Sequence, residues 1–454
     1  MRLLLVSHHF PPMGGAGVQR ALKFARYLGD FGVAVTVLAG DDPGYLQDAS
    51  LLSELPPTVP VHRVPHRTLL QRAMAWRRGA AASQGAAPAP ASEASKPTVP
   101  APPRWRDAVL TAWSALQWPD ERGGWARSAL PVGRALMRDG GFDAVMSTAP
   151  PVAAHALARR LAREAGVPWV ADWRDLWADN PGNAAPAWRR AIDRRTEAHW
   201  LRDAAGVVVV TPSWQRRYAA ALDGRCPVAW IPNGYDEADF ADAPTRTPAA
   251  DGAFRLVHVG SFYGPRDPAP VLDALDRCLA AGAAGPGRRA LRLRLVGAVG
   301  RRFDAALGAF ASRHPGAVER VPYVPHAQAL AEMRAADALL LVVGAGAGRQ
   351  DVRDVVAGTL PGKLFEYLRS GQPVLLLGDP GGDAAALLRA HGRGWVADET
   401  DPAAIAQMLE RMLVESPPLP AGAQVARFER RALAGELAAF VRDVRQRFDA
   451  RGHG

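Results

Sequence analysis

One rhythm recurs twice along this chain: a short apolar run, a stretch of helical periodicity, and another apolar run. In the first third, Arg2–Ser7 reads as a strand, Gly17–Phe31 as a helix and Ala34–Ala39 as a strand. Further strands are expected at Asp143–Ser147, Pro168–Asp172 and Gly206–Thr211, with a helix over Val152–Ala165. This is the βαβ pattern of a parallel sheet with helices on its faces. It restarts after the polar, proline-bearing segment Ala241–Gly252. Strands are then expected at Leu256–Gly260, Leu291–Val296, Ala338–Val343, Pro373–Leu377 and Gly394–Val396, and helices at Ala269–Ala281 and Ala327–Ala335. The fold class that follows is α/β, with two doubly wound, Rossmann-like domains facing a central cleft. Open sheets of this kind bind ligands beyond the carboxyl ends of their strands, so the cleft is the expected site.

The domain limits read from this pattern are residues 1–240, residues 241–423 and a C-terminal amphipathic helix over 424–454. In that helix Val425, Phe428, Leu433, Leu437, Phe440, Val441 and Val444 fall at helical spacing. Gly79–Pro103 is made almost wholly of Ala, Pro, Ser and Gly, which cannot build a core, and is expected as a flexible surface insertion in the first domain. A length of 454 residues suits two domains, and 48% hydrophobic with 22% charged residues excludes disordered, collagenous and coiled-coil classes. No apolar stretch approaches the ~20 residues of a membrane span, and the first residues lack the pattern of a secretory leader. Cys226 and Cys278 are too few for a disulfide framework or a cysteine-based zinc site. A cytoplasmic, reduced protein is expected.

The net charge of +10 invites an anionic partner, but three lysines stand against 52 arginines, a bias that matches the codons of a GC-rich genome. Arg67–Arg78 interleaves Leu69, Leu70, Met74 and Trp76 with four arginines. Two readings stay open: peripheral attachment to an anionic membrane surface, on the inner face of the plasma membrane, or a partly buried helix with a solvated arginine face. Scattered aromatics and the lack of a groove-reading motif argue against nucleic acid.

Three segments carry chemistry. The first strand ends in His8-His9-Phe10-Pro11-Pro12-Met13-Gly14-Gly15-Ala16-Gly17, and a helix begins near Val18, so backbone amides and a helix N-terminus approach a ligand together. A dinucleotide fingerprint fails because Arg20 holds its third glycine position. In Thr359–Val374, Pro361 suits a first helical turn and Gly371 a C-terminal cap. Lys363 and Glu366 then share a face: the ammonium is placed to hold phosphate and the carboxylate to accept bonds from ribose hydroxyls, with a surface ion pair as the alternative. A Walker loop is one residue short here and lacks its hydroxyl. The third segment, Ala171-Asp172-Trp173-Arg174-Asp175, follows a strand; its charges either bind hydroxyls in the cleft or pair with each other to hold the loop. His8, His9 and His155 are each read more readily as structural than as catalytic. No Asp-x-Asp triplet or ligand-spaced cluster indicates a metal, and no cofactor is expected beyond a co-substrate.

On these motifs the chain resembles GT-B glycosyltransferases of the family 4 type, retaining enzymes that use nucleotide sugars. Pro11-Pro12-Met13-Gly14-Gly15 is similar to their donor-contacting loop. Thr211-Pro212-Ser213 and Ile231–Asp236 resemble the segments closing the first domain, and Val259-Gly260-Ser261 through Arg266 resembles the opening of the second. Ser261 stands where that family usually has arginine, and Arg266 where it has lysine. Glu366 matches the second of a glutamate pair whose first position is Gly358, leaving Asp351 and Asp354 as nearby carboxylates. Pro119-Asp120 ahead of Trp125, together with the Asp172 segment, resembles a subgroup of these proteins. The resemblance implies transfer of a sugar from a nucleotide diphosphate sugar to a glycan or lipid-linked hydroxyl acceptor, in bacterial surface polysaccharide or glycolipid synthesis. It implies catalytic roles for Arg266, Lys363, Asp172 and Asp175, donor contacts by Gly14, Gly15, Ser261, Tyr323, Val324 and Glu366, and acceptor contacts by His9 and Arg174. A GT-B sugar-nucleotide epimerase and a non-catalytic sugar-nucleotide or glycan-binding protein remain as alternatives.

Overall fold

The computed structural model describes residues 1–65, 117–180, 185–241, 252–262, 266–280, 289–344, 355–392, 394–414 and 425–452. The basic stretch 67–78, the insertion 79–103, Asp351 and Asp354 lie outside them.

The first sheet contains β1 (Arg2–Ser7), β2 (Ala34–Asp41), β3 (Val61–Pro65), β4 (Ala144–Ala149), β5 (Trp169–Trp173), β6 (Gly206–Val209) and β7 (Val228–Trp230) in the order β3-β2-β1-β4-β5-β6-β7. The second contains β8 (Phe254–Val259), β9 (Leu291–Val296), β10 (Val318–Val321), β11 (Ala338–Val342), β12 (Val374–Leu377) and β13 (Gly394–Ala397) in the order β10-β9-β8-β11-β12-β13. Every pairing is parallel, with Leu4 opposite Thr36 and Val145, and Leu256 opposite Leu293 and Ala338. The strand order reverses between β1 and β4 and again between β8 and β11, which opens a crevice at the carboxyl end of each sheet.

The apolar runs of the strands are explained by cover on both faces. In β1, Leu4 and Val6 pack with Trp125, Leu157 and Leu161, while Leu3 and Leu5 pack with Ala21, Phe24 and Val35. Burying each such side chain contributes roughly 1.5–3 kcal/mol, so a polar residue inside a central strand needs a specific partner.

The C-terminal helix Arg430–Gly452 returns to the first domain, where Leu433, Leu437, Val441 and Val444 join the core shared with Ala21 and Phe24. Just before it, Phe428 packs in the second domain with Phe365. The chain therefore crosses between the sheets at 231–236 and at 425–430. The two crossings are tied by Tyr235 N–H donating to Phe428 O at 2.9 Å and Arg430 N–H donating to Tyr235 O at 2.7 Å. No described helix is long and apolar enough to cross a membrane.

Candidate active site

At the end of β8, His258 is wholly buried. Its Nδ1 lies 3.0 Å from Leu340 O and its Nε2 lies 3.1 Å from Lys363 Nζ, which also donates to Val259 O at 3.2 Å. Gly260 follows with φ +129°, and a Cβ there would stand 2.9 Å from Lys363 Nζ, so only glycine leaves the ammonium its seat. The helix Lys363–Ser370 starts at this point, at the β8/β11 switch, and ends on left-handed Gly371. Burial, then the charge of Arg266, lower the Lys363 ammonium from its usual range to about 7, with Glu366 opposing. Burial, then Lys363, with Arg266 adding, hold His258 far below the ordinary imidazole value, so it is a neutral ring. Arg266 and Lys363, 97 positions apart, thus act on one another in one cleft.

Glu366, one turn along the helix, accepts from His326 Nε2 at 3.1 Å. This contact raises the His326 pKa. The other nitrogen of His326 is 4.0 Å from Asp239, whose carboxylate is 3.5 Å from Lys23 Nζ. Lys23 is buried and forms ion pairs with Glu54 and Asp236 at 2.5 Å each. Among the described residues, Glu54, Asp236 and Asp239 form a group of acids close enough to hold a cation, and the lysine ammonium already lies among them. Tyr323 is exposed and Val324 half-buried, in the connection between β10 and the helix His326–Ala335 that brings His326 to Glu366. Ser261 is half-buried directly after Gly260.

On the facing domain, Gly14 N–H donates to Leu46 O at 2.8 Å, and exposed Gly15 precedes the helix Ala16–Tyr27. His9 stacks on Tyr45 with ring centroids 4.7 Å apart. Burial, then Arg174 and Arg122, lower its pKa to about 4. His155 is buried, bonded to Ser147 Oγ at 2.7 Å and lowered to about 3 by burial. Asp120 accepts from Ala153 N at 3.0 Å and Arg122 N at 2.8 Å, holding the starts of two helices.

The structure corrects the expectation for Asp172. Its carboxylate is completely buried and is clasped by Arg20, whose Nε and Nη2 donate at 2.9 and 2.7 Å, while Nη1 of the same arginine donates to Pro232 O at 2.8 Å. Both oxygens accept from this guanidinium and the side chain has no exposed surface, so the Asp172 carboxylate is not presented to the cleft as the sequence reading expected. Arg174 is likewise spent on main-chain carbonyls, donating to Gly17 O and, at 2.5 Å, to Pro150 O. Asp175 alone of this segment's charges is exposed.

Gly358 lies against the first domain: a Cβ there would be 3.2 Å from both Ser213 Cβ and Trp214 Nε1. Nearby, Asp383 accepts from Ser213 N at 2.9 Å and Ser213 Oγ at 2.8 Å. A side chain at 358 is tight in this arrangement of the two sheets and requires Ser213 and Trp214 to give way. Gly358→Glu is expected to cost about 1–3 kcal/mol by overpacking, read as a lower urea midpoint with an unchanged slope.

His258 and His326 were not reached from sequence. His258 had a signal, a titratable residue among the apolar Leu256, Val257 and Val259 of a core strand; His326, at the start of an ordinary helix, had none.

Residues 86–239 match the family model described as Glycosyltransferase Family 4. No curated protein matches. Among solved structures, the chain is similar to the UDP-forming α,α-trehalose-phosphate synthase from Burkholderia vietnamiensis, at 15% identity, TM-score 0.55 and 99% coverage of both chains. It is also similar to the lipopolysaccharide outer core galactosyltransferase WaaB in its apo form, at 11% identity and TM-score 0.56 over 98% of this chain and 99% of that one. The UDP-GlcNAc 2-epimerase from Methanocaldococcus jannaschii is similar at 8% identity and TM-score 0.54, over 97% and 99%. At these identities the likeness fixes the architecture: two Rossmann-like domains facing one another.

Proposed function

We propose that this chain is a GT-B glycosyltransferase of the family 4 type, a retaining enzyme that moves a sugar from a nucleotide diphosphate sugar to a hydroxyl acceptor; the family match over residues 86–239 and the two-domain architecture support this reading. The observation that carries this reading is the seat of Lys363 at the β8/β11 switch, held by His258 and Val259 O and within reach of the Arg266 charge, with Glu366 one turn deeper. The two cations neutralise charge as it develops on the departing diphosphate, and each would count for more once closure of the two domains on the substrates excludes water. Glu366 receives the ribose hydroxyls, and the backbone around Tyr323 and Val324 faces the base, with Ser261, Gly14 and Gly15 lining the rest of the donor path. The acceptor lies against the first domain between His9 and Asp175, where the neutral imidazole offers a hydrogen bond without adding a second cation. Front-face attack, with a leaving phosphate oxygen taking the acceptor proton, needs no protein nucleophile.

The acceptor class we favour is a glycan or lipid-linked sugar, in bacterial surface polysaccharide or glycolipid synthesis; contact of residues 67–78 with an anionic inner-leaflet surface would serve a lipid-linked acceptor. Thermal shift against UDP, GDP, ADP and their sugars tests the donor side. One nucleotide diphosphate should raise Tm, by about 2.7 kcal/mol of stabilisation at a hundredfold excess over Kd. Product analysis then separates transfer, which consumes donor only with an acceptor present, from epimerisation, which consumes it alone. A panel with no Tm shift for any nucleotide would remove the donor site from this cleft.

A further inference from the structure

We propose that His258 is a positioning residue of the donor site, which holds the Lys363 ammonium from beneath and aims it at the diphosphate. The proposal rests on the reading of the cleft given above. Its basis is the geometry of one ring. A carbonyl oxygen can only accept, so the 3.0 Å contact with Leu340 O places the imidazole hydrogen on Nδ1. Nε2 is then a bare lone pair, and the group 3.1 Å away is an ammonium with three hydrogens to give. One hydrogen goes to Nε2 and one to Val259 O at 3.2 Å, which among the described residues leaves the third for a ligand.

The ring cannot turn away. It is wholly buried and packs on Phe262 at 4.2 Å between centroids, and the main chain of β8 and β11 fixes its edge. Nor does it become a donor: the charged groups that face it, Lys363 and Arg266, both oppose its protonation, as does burial. An aliphatic side chain would fill this strand position without the cost of burying an imidazole, so packing alone gives no reason for a histidine here. Without the Nε2 acceptor, a flexible lysine side chain would have to give up rotamer freedom to find the same pose on each binding event.

His258→Gln and His258→Asn separate the idea from a merely structural role. Gln keeps an acceptor that reaches Nζ; Asn keeps a donor for Leu340 O but falls short of the lysine. The chain has three lysines, so side-chain NMR of lysine-labelled protein resolves Lys363 directly, assigned by Lys363→Arg. Inorganic pyrophosphate serves as the probe for affinity. His258→Asn is expected to weaken pyrophosphate binding about ten- to a hundredfold and to shift the Lys363 titration, whereas His258→Gln stays within about threefold of wild type. If wild type and Lys363→Ala bind pyrophosphate alike, the donor-site reading falls and the proposal with it. If those two differ while Asn and Gln behave the same in both affinity and Lys363 titration, the proposal alone is overturned.

Discussion

Lys363→Ala is expected to lower turnover by about 10²–10³-fold, the range for removing one preorganised charge from where a leaving group becomes anionic. The side chain is held by His258 and Val259 O and acts together with Arg266, so the loss falls on the chemical step as well as on donor binding. The pH dependence has a definite sign. The ammonium titrates at about 7 in the free protein instead of near 10.5. Between those values the folded chain binds fewer protons than the unfolded one, so this group disfavours folding below pH 7 and the penalty is relieved as pH rises. Lys363→Ala should therefore retain full thermal stability at pH 6. A bound diphosphate favours the ammonium, so nucleotide affinity should weaken as pH rises through about 7, with proton uptake on binding. Lys363→Arg, whose guanidinium stays charged, should abolish that slope. Calorimetry in two buffers of different ionisation enthalpy measures the uptake; near-normal turnover by the folded alanine variant would take Lys363 out of the mechanism.

The second large effect is on stability. Arg20→Ala and Asp172→Ala should each destabilise by about 3–5 kcal/mol, because either change leaves a charge buried without its partner. Arg20 also bonds Pro232 O in the segment between the two sheets, so its loss should loosen that crossing as well. Urea denaturation measures both, and the double variant should cost much less than the sum of the singles. Wild-type stability for Asp172→Ala combined with absent turnover would restore a catalytic role to this aspartate.

Much of the fold was legible because the central strands are apolar at successive positions, a signal that needs no partner to be read. The strands β3, β7 and β10 were missed for the converse reason. They lie at or near sheet edges, and sequences such as Val318-Glu319-Arg320-Val321 carry charges that edge positions tolerate. The candidate site divided along a similar line. Lys363 and Glu366 were visible as one helix face, since i and i+3 are neighbours on any helix. Asp172, Arg174 and Asp175 were three similar charges at the end of one strand, and nothing local distinguishes the one left exposed.

The amino-acid order by itself determined the two parallel sheets, the cleft at their carboxyl ends, and a cation and a carboxylate together at one helix start. Only the tertiary structure decided which charges remain available there. It gave Asp172 to Arg20, set His258 under Lys363, and pressed Gly358 against Ser213 and Trp214. Periodicity is a property of neighbouring residues, whereas the partner of a buried charge is chosen by packing between segments a hundred or more positions apart.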